Sequence, residues 1–330
     1  MNNQFITPIS PERAQTLSGL FYQRVKSTPN KTAYHSYDAQ HQTWKTYSWI
    51  DALHEVIKWQ QLLLHFELKR GDSIAIMLKN CPEWIFMEQA ALALGIIVVP
   101  LYNNDRADNI AYILNQAEVK LLLLGGPEHL QELVVIQDQV KQLRVIISRE
   151  TIDEQRTQAL KNINLYPVNQ VFKQLDAAGA FSSDDYIHFS GQADDLATIV
   201  YTSGTTGDPK GVMLSHYNIL SNTWSAINAV PCRNDDLFLS FLPLSHMFER
   251  TAGYYIPMMS GAEVAYARSI EDLGADLLSL RPTVLVTVPR IFERVYFKIK
   301  SQLEKKPRLA QVLFAMTVQI GWKRFQYLQH

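Results

Sequence analysis

Between Asp72 and Ser148 the chain alternates short apolar runs with helix-like stretches, and this rhythm limits its folds more than any other feature. Asp72–Met77, Ile96–Leu101, Lys120–Leu124 and Val145–Ser148 read as buried strands. Glu83–Leu94, Asp108–Gln116 and Glu128–Leu143 read as the helices between them. Strands separated by helical crossovers predict an α/β fold with mainly parallel sheets. Upstream, Thr32–Tyr37 and Thr43–Tyr47 flank a polar turn and predict a hairpin. Ser48 with Asp51 three positions later predicts the cap of a helix running to about Phe66.

The pattern loosens between about Asn162 and Asp195, which reads as a connection between two sub-cores. A second α/β section follows. Its strands are expected at Ala197–Thr202, Leu237–Phe241, Glu263–Ala265 and Val284–Val288, with a helix at Tyr217–Val230. Pro289 opens a further helix, whose Ile291, Val295, Ile299 and Leu303 fall on one face. The expected division is a first subdomain over 1–190 and the start of a second over 191–330.

At 47% apolar and 19% charged residues the chain has the makings of a substantial core, and its net charge of −1 gives no general attraction to nucleic acid. Cys81 and Cys232 lie far apart, which argues against a disulfide framework or a zinc site and for a reducing cytoplasmic setting. The N-terminus lacks a secretory pattern, and the most apolar stretch, Ala90–Tyr102, is too short to span a bilayer.

The segment Tyr201-Thr-Ser-Gly-Thr-Thr-Gly-Asp-Pro-Lys-Gly211 carries the chemistry. Gly204, Gly207 and Gly211 permit close backbone approach to phosphate oxygens. Thr202, Ser203, Thr205 and Thr206 add hydroxyl donors, and Lys210 adds a mobile cation. A surface turn uses the same residue types. The coincidence of strand, hydroxyl-rich loop and lysine favours a polyphosphate ligand. The nucleotide-hydrolase loop fails on spacing, because Lys210 follows Pro209 and is itself followed by Gly211.

YTSGTTGDPKGVMLSH resembles the signature loop of the adenylate-forming (AMP-binding) superfamily. The resemblance implies that Thr202, Ser203, Gly204, Thr205, Thr206, Gly207 and Lys210 grip the triphosphate of ATP. Phe241-Leu-Pro-Leu-Ser-His-Met-Phe-Glu-Arg250 resembles a second family motif and implies that His246 borders the acyl and adenylate pocket. Read alone, a histidine after Pro243 is more often structural than a base, and pocket shaping is preferred to proton transfer. The Glu249-Arg250 pair reads equally as a surface ion pair. Pro282–Tyr296 resembles a segment of long-chain fatty-acid–CoA ligases, where Phe292 falls near an aromatic gate of the acyl tunnel; a packed core aromatic is the equal alternative. Asn80-Cys-Pro-Glu-Trp84 and Gly95–Tyr102 also resemble the family's N-terminal part.

The implied activity is fatty-acid–CoA ligation with ATP, Mg2+ and coenzyme A, giving acyl-CoA, AMP and pyrophosphate. Tyr-Gly-x-Thr-Glu and Thr-Gly-Asp segments, and the family's C-terminal domain with its lysine, are not found after residue 296. The expectation is therefore a truncated large N-terminal domain with an incomplete second subdomain, inactive alone. Two alternatives stay open: an ATP- or polyphosphate-binding fragment that pairs with a separate C-terminal chain, and another adenylate-forming enzyme such as an acyl–carrier-protein ligase. The apolar tail Arg308–Tyr327, flanked by Lys305, Lys306, Lys323 and Arg324, reads either as a buried helix lacking its cover or as a peripheral contact with the inner face of a membrane.

Overall fold

The computed structural model describes residues 7–153, 158–179, 181–202 and 208–328. It divides into two units, Met1–Val286 and Thr287–His330. The first unit is α/β with two sheets. The expected hairpin forms as β1 (Thr32–Asp38) and β2 (Thr43–Ser48). Helix α3 (Trp49–His65) follows a complete capping box: the Ser48 Oγ accepts the Asp51 N–H at 3.2 Å, and Asp51 accepts the Ser48 N–H at 2.9 Å. Such a cap contributes about 1 kcal/mol.

Strands β3 (Ser73–Met77), β4 (Ile97–Pro100), β5 (Val119–Leu124), β6 (Val145–Ser148), β7 (Asn164–Pro167), β8 (Leu196–Thr202) and β9 (Lys210–Ser215) build a seven-stranded sheet in the order β7-β6-β5-β3-β4-β8-β9. All neighbours are parallel except β8 and β9. The other sheet has the order β10-β11-β1-β2, with β10 at Leu237–Ser240 and β11 at Glu263–Tyr266. Helix α4 (Pro82–Ala93) touches β1 of one sheet and β4 of the other. Every residue of it except Glu83 is buried, Glu88 and Gln89 included.

Several expectations change. Each sheet takes strands from both sides of residue 190, so the 190/191 boundary does not separate the sheets. The segment after Asn162 is ordered as β7 and helix α7, Val168–Ala178; the other described helices before it are α1 (Pro11–Ala14), α2 (Leu17–Ser27), α5 (Ala107–Gln116) and α6 (Leu130–Ile136). The helix expected over Glu128–Leu143 is only a 3-10 turn followed by α6. The Lys141 N–H is taken by the Asn115 side chain at 2.9 Å, and Gln137 accepts the Lys161 N–H at 2.7 Å, so side chains replace the helical ladder there. Val284–Val288 makes one parallel bridge, Phe238 to Val284, rather than a strand.

Beyond β9 come α8 (His216–Ala229) and a helical stretch α9 over 247–260, whose middle, Arg250–Tyr255, is π-helical. Arg24 of α2 is fully buried and closes the end of α9, donating to the carbonyls of Met258 at 2.9 Å and Met259 at 2.7 Å. A cation there also meets the negative end of the helix dipole. Helix α10 is Leu273–Leu280. The second unit is a pair of helices, α11 (Pro289–Glu304) and α12 (Arg308–Leu328), with no buried residue in either.

Candidate functional site at the carboxyl edge of the sheet

Ser203, Gly204, Thr205, Thr206 and Gly207 of the glycine-rich loop lie outside the described residues. The strands on either side of them, β8 and β9, pair with each other. Thr202 and Lys210 are cross-strand partners, as are Val200 and Val212. The loop sequence therefore joins two antiparallel strands; it does not lead from a strand into a helix, and Lys210 begins β9 six residues before α8. Cross-strand partners project to one face. Thr202 and Lys210 thus share the face that also carries Val200, Val212 and Leu214.

Gly211 has a local reason to be glycine. A Cβ there would sit 2.9 Å from Ile199 Cγ2 and 3.0 Å from the Tyr201 ring. Its bare backbone makes room for the aromatic ring beside it, a different role from the phosphate approach its sequence context suggested.

Two adjoining cavities open where β4 and β8 end. One, of about 550 Å³, is mainly apolar: Val200, Val212 and Leu214 form its floor, Ile219 and Ala226 of α8 one wall, and Met247, Ala252 and Ile256 of α9 the other. The second, of about 480 Å³, has a mixed lining of Asn104, Asp105, Asn109, Ile113, Tyr201 and Pro209. Tyr102, Thr202 and His246 line both. The carboxyl ends of parallel strands are where α/β sheets place their ligands.

The structure thus brings Thr202 and His246 together, with Lys210 beside Thr202 on the same sheet face. His246 is exposed, and its Nδ1 accepts the Phe248 N–H at 3.2 Å. In the neutral ring that bond leaves the proton on Nε2, free to donate into the cavities. Phe292 belongs to the second unit, where it is 65% exposed on α11; the cavities are lined wholly by residues of the first.

A family description, "AMP-binding enzyme", matches residues 21–319. The chain belongs to the AMP-binding enzyme family. It is 30% identical over 257 residues to fatty acyl-CoA synthetase B of Dictyostelium discoideum, covering 77% of this chain and 37% of that protein. It is 31% identical over 266 residues to long-chain-fatty-acid–CoA ligase 1 of Cavia porcellus, covering 78% of this chain and 37% of the relative. The chain therefore spans well under half the length of these curated relatives. Among solved structures, it superposes with a TM-score of 0.75 on the A-PCP didomain of a carboxylic acid reductase from Segniliparus rugosus in complex with AMP, at 20% identity, covering 95% of this chain and 50% of that one. It also matches an anthranilate CoA ligase in complex with anthranoyl-AMP, with a TM-score of 0.72, 18% identity and coverage of 84% and 50%. At these identities the superpositions show the shared fold.

In this member of the AMP-binding enzyme family the stretch Phe241–Arg250 is held by groups that sequence reasoning did not assign. Asn80 donates to the Ser240 hydroxyl at 2.9 Å and to the Leu242 carbonyl at 2.6 Å, and accepts the Leu244 N–H at 3.0 Å. Glu249 and Arg250 are not a surface pair. Arg250 is fully buried and pairs with Glu88 of α4, which also accepts from Tyr255 at 3.0 Å. Its other arm donates to Thr198 at 3.0 Å, and its guanidinium lies over the Trp84 ring at 5.3 Å. Burial opposes the charge on Arg250, but Glu88 together with the Tyr255 and Tyr254 hydroxyls outweighs it and raises the arginine's pKa, while burial raises the pKa of Glu88 against the pull of Arg250. Tyr102 was missed as well, although its place just past the end of β4 marks it.

Glu249 is 1% exposed; its Oε1 accepts the Ser240 hydroxyl at 2.7 Å, and its Oε2 has no protein partner. Burial raises its pKa to about 7 from an ordinary 4.5, with Ser240 pulling the other way. The folded state therefore holds a proton that the unfolded state releases. The associated stability is complete below about pH 4.5 and is lost as the pH rises through 7. Across pH 6 to 8 the loss comes to about 1 kcal/mol. Urea unfolding at the two pH values is expected to show this slope in the wild type and a flatter one in Glu249→Gln. Identical slopes would remove Glu249 as the source.

Proposed function

We propose that this chain supplies the acyl pocket and the phosphate-gripping hairpin of an AMP-forming long-chain fatty-acid–CoA ligase. The observation that carries the reading is the meeting, at Thr202 and His246, of a mainly apolar cavity with one of mixed lining that carries Asn104, Asp105 and Asn109. A fatty acid and a nucleotide must touch at one end only, carboxylate to α-phosphate, and this arrangement offers each a compartment of its own chemistry. Kinship with acyl-CoA synthetases and long-chain ligases supports the same assignment.

In the proposed reaction a carboxylate oxygen attacks the α-phosphorus of ATP and pyrophosphate leaves, giving acyl-AMP. The thiolate sulfur of coenzyme A then takes the acyl carbon, and AMP departs. The α8–α9 cavity would hold the alkyl chain by burial, at about 0.8 kcal/mol per methylene. Thr202, with Ser203, Gly204, Thr205, Thr206, Gly207 and Lys210, would hold the polyphosphate and offset its charge as the leaving group separates. His246 Nε2–H stands where the two substrates would join and is suited to orient the carboxylate. Among the described residues there is no cluster of three or more His, Cys, Asp or Glu side chains able to hold a cation. When bound with ATP, Mg2+ would supply further charge neutralisation at the phosphate oxygens.

Ala252 faces the apolar cavity from the π-helical turn. Ala252→Phe is expected to weaken binding of a long-chain carboxylate by about tenfold or more, from the lost methylene contacts, while ATP affinity stays within about twofold. Calorimetry with palmitate and with ATP separates the two. Unchanged palmitate affinity would take the acyl chain out of this cavity.

A further inference from the structure

Asn80 lies past the carboxyl end of β3, in the short connection to α4, and lines neither cavity. Its side-chain amide nevertheless holds the strand end and loop that lead to His246. One N–H goes to the Ser240 hydroxyl at 2.9 Å and the other to the Leu242 carbonyl at 2.6 Å, while Oδ1 accepts the Leu244 N–H at 3.0 Å. The partners fix which way round the amide sits. Turned over, it would set its oxygen against the Leu242 carbonyl and its NH2 group against the Leu244 N–H. Bonding a C=O and an N–H two residues apart is what a strand neighbour does in a parallel ladder, so Asn80 sets the path of the loop.

From this clamp to His246 little freedom is left. Leu244 is buried in the main core. The His246 N–H closes a turn onto the Pro243 carbonyl at 3.0 Å, and its Nδ1 caps α9 by accepting the Phe248 N–H. That turn starts at Pro243, between the two clamped residues, and ends on the ring that faces both cavities. The third contact has a different reach. Ser240 closes β10, whose place is set by pairing with β11, and its hydroxyl donates to Glu249. The bond from Asn80 to Ser240 therefore ties one sheet to the other, whereas the bonds to Leu242 and Leu244 bear on the loop.

We propose that Asn80 is the positioning residue of His246, holding through Leu242 and Leu244 the turn that aims Nε2 at the junction of the cavities. The choice of palmitate as a probe rests on the function proposed for those cavities; the placement of the ring does not. In long-range 1H–15N spectra of the full chain, the His246 ring is assigned by its loss in His246→Ala. It is expected as a single Nε2–H tautomer in the wild type and as a tautomer mixture in Asn80→Ala. The buried His216 ring, whose Nδ1 accepts the Leu17 N–H at 3.2 Å, should stay unchanged and report an intact fold. Asn80→Asp keeps the shape but has no donor, is expected to behave alike, and serves if the alanine variant does not fold. Ser240→Ala cuts only the tie between sheets, and should lower the urea midpoint yet keep the single tautomer. In calorimetry, Asn80→Ala and His246→Ala are each expected to weaken palmitate binding by about tenfold or more, and the double variant by no more than either alone. A single tautomer kept in Asn80→Ala, or losses that multiply in the double variant, would overturn the proposal. Palmitate affinity untouched by His246→Ala would instead count against the functional reading, and the tautomer alone would then decide the role of Asn80.

Discussion

Arg250→Met is expected to lower the stability of the first unit by about 3–5 kcal/mol, the range for removing one partner of a buried ion pair. The reason is the group left behind. Glu88 is fully buried on α4, and without the guanidinium only neutral hydroxyls, those of Tyr255 and Tyr254, remain to meet its charge. Thr198 also loses a donor, although its own hydroxyl still reaches the Val98 carbonyl at 2.5 Å. Adding Glu88→Gln to Arg250→Met is expected to recover a large part of the loss, because the uncompensated charge goes with it. Urea unfolding of the two single variants and the double variant measures this directly. A loss under about 1 kcal/mol, or strictly additive variants, would mean that Arg250 is held by packing on Trp84 and not by its charge. The effect reaches the site: Thr251 and Ala252, next along the π-helical turn, line the apolar cavity.

The second large effect concerns Lys210. On the proposed reading, Lys210→Ala is expected to weaken ATP binding by about 10- to 100-fold, the value of a charge-assisted contact to phosphate. AMP affinity should change far less, since the lysine is assigned to the outer phosphates. Lys210→Arg is expected to restore part of the loss by returning the charge. Calorimetric titration with ATP and with AMP tests both statements. Equal ATP affinity in wild type and Lys210→Ala would release the lysine from its role and leave the hairpin as structure only.

Features that depend on neighbours in sequence were legible. The Ser48–Asp51 cap, the β1–β2 hairpin and the buried strands β3 and β5 follow from patterns a few residues wide. Features that depend on distant partners were not. Glu249 and Arg250 look like surface residues because charge ordinarily stays in water, and the residue that makes burial of Arg250 tolerable, Glu88, is 162 positions away. Strand β9 was hidden for a different reason: Lys210, Gly211, Val212 and Met213 are all exposed, so it lacks the alternation of a half-buried strand. Its pairing with β8 turns the glycine-rich segment into the connection of a hairpin. The site was half legible. Thr202 and His246, each picked out by its motif, line the same two cavities, whereas Tyr102, Asn80 and the apolar cavity emerge only when α8 and α9 are set against the sheet.

The smaller sheet also fixes an order of events during synthesis. Tyr34 of β1 pairs with Val264 of β11, roughly 230 residues later. At about 5–20 residues per second, the edge of β1 that β11 will cover stays open for some ten to fifty seconds of translation. Throughout that interval the β1–β2 hairpin has α3 and α4 to pack against but no third strand to complete its sheet. The strand β1 is thus made early and secured late, by a partner that leaves the ribosome roughly 230 residues after it.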